Sequence, residues 1–111
     1  MSIKEETKKD IDRLVEGIKE KFAPQKIILF GSQAKNNPSS KSDIDLCVVV
    51  DAEYKEELEK AMNLYIYSEQ GLDFERPVDL ILYTSEEWET NVKDSATFAS
   101  LIEKKGVKLY G

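Results

Sequence analysis

Residues 29 to 50 read LFGSQAKNNPSSKSDIDLCVVV. An apolar run stops at Gly31, a polar stretch follows, and a second apolar run begins with two carboxylates, Asp43 and Asp45, set into its start. The first run, Lys26-Ile27-Ile28-Leu29-Phe30, is short, rich in β-branched residues and ended by glycine, which predicts a buried strand. NNPSSKS, residues 36 to 42, carries turn and loop chemistry. Ile44–Val50 then predicts a second strand. The connection is too short for a full crossover helix, so the two strands are expected to be antiparallel neighbours.

Working outward, Ile3, Ile11, Leu14, Val15, Ile18 and Phe22 recur at helical spacing, with Ser2 and Glu5 as a capping box and Pro24 beyond the last apolar position. This predicts a helix over residues 4 to 21. Leu58, Ala61, Met62, Tyr65 and Ile66 mark a second helix ending near Gly71. Arg76-Pro77 introduces a third strand over residues 78 to 83, and Thr84 with Glu87 caps a short helix carrying Trp88. Phe98, Leu101 and Ile102 place a last helix before Gly106, and residues 107 to 110 add a short edge strand. The second and third strands are joined through a helix and are expected to run parallel by a right-handed crossover. The expected fold is α+β in two layers, a small mixed sheet with helices mainly on one face and the other face partly open.

Composition narrows the function. With 111 residues the chain is expected to be a single domain, 1–111. Its 41% hydrophobic and 34% charged residues are those of a globular protein, and no apolar run approaches a membrane span. Sixteen basic against 22 acidic residues leave a net charge of −6, which disfavours a broad nucleic-acid surface. A polar start, MSIKEETKKD, and a single cysteine, Cys47, point to the cytoplasm. There is no histidine, which excludes imidazole acid-base chemistry, Ser-His catalysis and the usual Cys/His zinc sites. A metal here must be held by oxygen, which suits Mg2+.

Strand alternation puts Asp43 and Asp45 on one face and Ile44, Leu46, Val48 and Val50 on the other. The two carboxylates are then about 7 Å apart at the backbone, close enough to converge on one cation or two. Asp79, in RPVDLILY, repeats the anomaly in the next strand and can join them. Three carboxylates in one place are costly unless divalent metal compensates them. Gly31-Ser32 adds the other half. A strand ending in glycine lets backbone approach a ligand closely, and Ser32-Gln33-Ala34-Lys35 can form a helical turn that binds phosphate, with Lys35 near enough to contribute its charge. Taken singly, a Gly-Ser pair is ordinarily a turn and an Asp-x-Asp ordinarily a cap or an edge-strand device. Together they are the equipment of two-metal phosphoryl or nucleotidyl transfer. Cys47 falls on the acidic side of its strand and reads as a small core residue.

In these residues the chain resembles the DNA polymerase β-like nucleotidyltransferase superfamily, and within it the minimal nucleotidyltransferases. The pattern stands as Phe30-Gly31-Ser32, a gap over residues 33 to 42, Asp43-Ile44-Asp45-Leu46, and Val78-Asp79-Leu80. The resemblance extends over nearly the whole chain, including the closing segment FASLIEKKGVKLY. It implies a nucleotidyltransferase fold, two Mg2+ ions held by Asp43, Asp45 and Asp79, and an NTP, expected to be ATP, whose phosphates meet Gly31 and Ser32. It further implies transfer of an NMP group to an acceptor hydroxyl with release of pyrophosphate, Asp79 lying nearest the acceptor. Many minimal members stand beside a small helical HEPN protein, and some act as antitoxins that AMPylate a tyrosine of that toxin; a homo- or hetero-oligomer would follow. Gln33, Lys35 and Asn36 stand where minimal members commonly carry Arg, Arg and Gly, exchanging a guanidinium fork for a point charge. A different class, a non-catalytic binding module or nucleotide sensor that neutralises a partner by contact, is motivated by the loss of those arginines.

Overall fold

The computed structural model describes residues 5–31 and 43–111. In chain order the elements are α1 (Glu5–Phe22), β1 (Lys26–Phe30), β2 (Ile44–Val50), α2 (Lys55–Tyr67), β3 (Val78–Thr84), α3 (Ser85–Val92), α4 (Phe98–Lys105) and β4 (Val107–Tyr110). The strands form one mixed sheet of order β3-β2-β1-β4. β1 is antiparallel to β2 and to β4, and β2 is parallel to β3. These are the pairings expected from the short connection between β1 and β2 and from the helix between β2 and β3.

The apolar stripe of α1 explains both its existence and its place. Ile11, Leu14, Val15 and Ile18 are buried, and they pack with Ile27 and Leu29 of β1 and with Ile44, Leu46, Val48 and Val50 of β2. Met62 and Ile66 of α2 complete the same cluster. Each fully buried Leu, Ile or Met side chain contributes about 1.5–3 kcal/mol, so this layer dominates the stability of the fold. α1 stops at Ala23, whose left-handed φ of 48° lets its N–H bond the carbonyl of Lys19 at 3.1 Å. The Ser2–Glu5 capping box lies outside the described residues.

The expectation of helices mainly on one face holds for α1 and α2, which carry the larger cluster. The opposite face is more covered than expected. Ile28, Cys47 and Val49 form a second buried cluster with Trp88 of α3 and Ala99 and Ile102 of α4. The physical reason lies in the strand itself: beyond Asp45 the odd-numbered side chains of β2 are Cys47 and Val49, which also need to leave water. That face is therefore acidic only at the end where β2 begins. Cys47 is fully buried, as expected of a core cysteine, and burial pushes its thiol up to about 12.

Two local expectations are tested at α2 and α3. α2 ends at Tyr67, four residues before Gly71. The chain then folds back over the helix end, with the N–H groups of Leu72 and Phe74 bonding the carbonyls of Tyr65 and Ile66. Gly71 serves this fold-back: a Cβ there would lie 2.1 Å from the Tyr65 carbonyl oxygen. At α3 the capping box is present. The Thr84 hydroxyl accepts from the Glu87 N–H at 3.2 Å, and a Glu87 carboxylate oxygen accepts from the Thr84 N–H at 3.0 Å.

Candidate active site

The register of the sheet decides which side chains meet. Phe30 of β1 stands opposite Asp45 of β2, and Asp45 stands beside Asp79 of β3. These three form a row across one face, and the next row is Ile28, Cys47 and Ile81. The acidic pair thus sits at the boundary between solvent and the second apolar cluster. Asp45 is half-buried, Asp79 is exposed, and Asp43 is exposed just before β2.

The electrostatics follow from that position. Burial, then the charges of Asp79 and Asp43, then a hydrogen bond with Asp79 all hold the Asp45 carboxyl above its ordinary value. The two strand carboxyls therefore stand side by side on neighbouring strands. Asp43 acts on Asp45 through its charge. Among the described residues, no group of three or more acidic, Cys or His side chains is drawn into one metal-ligand set. The donor chemistry nevertheless fits a hard divalent cation. Three carboxylates contribute only oxygen, and positive charge placed among them would relieve the repulsion that raises Asp45.

Gly31 occupies the other side of Asp45. Its φ is +71°, a conformation that an L side chain adopts at a cost, and a Cβ there would fall 2.0 Å from Oδ2 of Asp45. Glycine is required twice over, by backbone and by space. The chain turns directly over the carboxylate, so the backbone of Gly31 belongs to the same site. Ser32 and Lys35, the remaining residues expected to meet phosphate, lie outside the described residues.

Two residues that sequence reasoning treated as ordinary hold the third carboxylate in place. β3 is an edge strand, and the Tyr67 hydroxyl serves its open side by donating to the Val78 carbonyl at 3.1 Å and accepting from the Val78 N–H at 2.8 Å. Arg76 reaches across to α1, donating to Thr7 Oγ1 at 3.0 Å and pairing with Asp10 at 3.4 Å. Between them runs the bond from the Ile44 N–H to the Pro77 carbonyl, 3.1 Å, which joins the start of β3 to the start of β2. Asp79 follows directly on these anchors. Arg76-Pro77 before a strand could have signalled the second anchor. Tyr67, 11 residues from its partner, carries no local signal.

Residues 11–104 match the model of a family described as a nucleotidyltransferase domain. None of the curated proteins compared matches the chain significantly. Among the described residues, no helix is long and apolar enough to cross a membrane.

Proposed function

The chain belongs to the nucleotidyltransferase domain family, and from that premise we propose that it is a Mg2+-dependent enzyme that moves AMP from ATP to an acceptor hydroxyl. We further propose that the acceptor is a tyrosine of a small helical HEPN-type partner, which the chain restrains as an antitoxin of the minimal nucleotidyltransferase type. The observation that carries the catalytic reading is the side-by-side placement of Asp45 and Asp79, with Gly31 pressed against Asp45.

In this reading Asp43, Asp45 and Asp79 hold the cations. Mg2+, when bound, supplies neutralisation of the phosphate charge and alignment of the reacting groups. Asp43 and Asp45 face the triphosphate, and the backbone of Gly31 lets it approach without a side chain in the way. Asp79, exposed on the edge strand, faces the acceptor and takes its proton. The acceptor oxygen bonds the α-phosphorus, the bond from that phosphorus to the α,β-bridging oxygen breaks, and pyrophosphate leaves.

Incubation with labelled ATP, Mg2+ and a HEPN-type partner is expected to label the partner, and the Asp43→Asn, Asp45→Asn double variant to lose that labelling. Labelling that persists in the double variant would overturn the mechanism. One observation favours a second reading, a non-catalytic binding module or nucleotide sensor: the three carboxylates are not drawn into one ligand set. Calorimetry separates the two, because a pure contact module binds no ATP in Mg2+ and a sensor binds it without turnover.

A further inference from the structure

The two helices on the larger apolar cluster differ in what they show to water. Every exposed residue of α1 from Lys8 to Lys21 is charged. On α2 and the residue before it, Tyr54, Glu57, Ala61 and Leu64 recur at helical spacing and are all exposed, Tyr54 and Leu64 each by 70%. Met62 and Ile66 hold α2 on the core, whereas Tyr54, Ala61 and Leu64 belong to neither buried cluster. Single apolar residues are normal on a surface, but this row borders a hollow of about 350 Å³ lined by Ala52, Glu53, Tyr54, Glu57, Leu58 and Ala61. Leu58, half-buried, joins the hollow to the core beneath it. The surroundings are acidic. Residues 51 to 60 carry five carboxylates and two lysines. Lys55 is engaged with Glu87 of α3 at 3.1 Å, and Glu53 and Glu57 have no ion-pair partner among the described residues.

We propose that this outer row of α2 docks a cationic amphipathic helix of a partner protein, with the partner's apolar stripe on Tyr54, Ala61 and Leu64 and its Lys or Arg residues against Glu53 and Glu57. Charge complementarity selects this occupant. A second copy meeting the row across a two-fold axis would face these carboxylates with the same carboxylates. Nucleic acid and anionic lipid would be repelled by them. The row from residue 54 to residue 64 spans about 15 Å, about three helical turns, which a helix laid alongside matches through anchors at i, i+3 or i+4, and i+7. α2 packs on the side of the sheet that carries Ile44, Leu46 and Val48, the other side from the row of Asp45 and Asp79. A helix docked there leaves the acidic row open, so the surface is separate from the candidate active site and independent of its chemistry.

The probe is a fluorescein-labelled Leu/Lys peptide of about four helical turns, its leucines spaced to form one stripe, with the matching Leu/Glu peptide as control. Binding to the full chain is read by fluorescence anisotropy at about physiological salt. The Leu/Lys peptide is expected to bind at least about tenfold tighter than the Leu/Glu peptide. Tyr54 and Leu64 are exposed, so Tyr54→Ser and Leu64→Ser are expected to fold, which circular dichroism checks. Each should weaken the Leu/Lys peptide at least about threefold. Glu53→Gln with Glu57→Gln should weaken it at least about fivefold. Asp12→Asn with Glu20→Gln removes the same charge from the exposed side of α1 and should change affinity less than about twofold. Failure of the wild type to bind the Leu/Lys peptide overturns the proposal. An equal loss from the two pairs of charge variants overturns it as well, because the peptide would then be answering net charge alone. Unchanged affinity in Leu64→Ser overturns it too, because the apolar row would then take no part.

Discussion

Gly31→Ala places the heaviest load on the geometry of the site. At φ +71° an alanine meets its own backbone at a cost of about 1–2 kcal/mol. Its Cβ would also fall 2.0 Å from Asp45 Oδ2 and 2.9 Å from the carboxyl carbon. Asp45 must then swing away from its rotamer, adding about 0.5–1.5 kcal/mol and moving the carboxyl from its place beside Asp79. The sum is about 1.5–3.5 kcal/mol, or about 6–14 °C in melting temperature for a domain of this size. Chemical denaturation of wild type, Gly31→Ala, Asp45→Ala and the double variant resolves the two contributions. Without the carboxyl group the nearest atom is Asp45 Cβ at 3.2 Å, so only the backbone part, about 1–2 kcal/mol, should remain in the Asp45→Ala background. A Gly31→Ala protein within about 0.5 kcal/mol of wild type refutes the argument for glycine, and an equal cost in both backgrounds refutes the contact with Asp45.

Asp45, held above its ordinary value, contributes stability that is fully present below the unfolded carboxylate pKa and lost as pH rises through the folded value. Asp79→Asn removes a neighbouring charge, so it should raise the melting temperature at neutral pH and lose that gain at about pH 3; a lower melting temperature at neutral pH would contradict the repulsion. Thr84→Ala should cost about 1 kcal/mol in denaturant midpoints through loss of the α3 cap. Its partner Glu87 is held below the usual range, first by the Thr84 N–H and then by Lys55. That contribution is present above the unfolded pKa and disappears as pH falls through the folded one, so Glu87→Gln should destabilise at neutral pH and become silent in acid. The Cys47 thiol, fully buried and pushed up to about 12, should resist iodoacetamide at neutral pH in the native protein and react in urea, as read by mass.

How much was legible varied with the range of the interaction. The helical stripe of α1, the alternation in β2 and the Thr84–Glu87 box are local patterns, and each led to the element observed. The end of α2 was misplaced because Gly71 looks like a helix cap, whereas its role is to clear the Tyr65 carbonyl in a chain reversal. Coverage of the second face was underestimated for a related reason. Cys47 and Val49 state that they need burial, but not that α3 and α4 provide it.

By itself the sequence determined that three carboxylates and a glycine would be set among strands, because alternation along a strand is a property of neighbouring residues. Only the tertiary structure decided which of them meet. The parallel register puts Asp79 directly beside Asp45, and the antiparallel one brings Phe30 to its other side. The turn at Gly31 then lays backbone against the carboxylate, while Tyr67 and Arg76 hold the edge strand from a distance. Register and edge anchoring are contacts between segments far apart in the chain, and no periodicity within one segment encodes them.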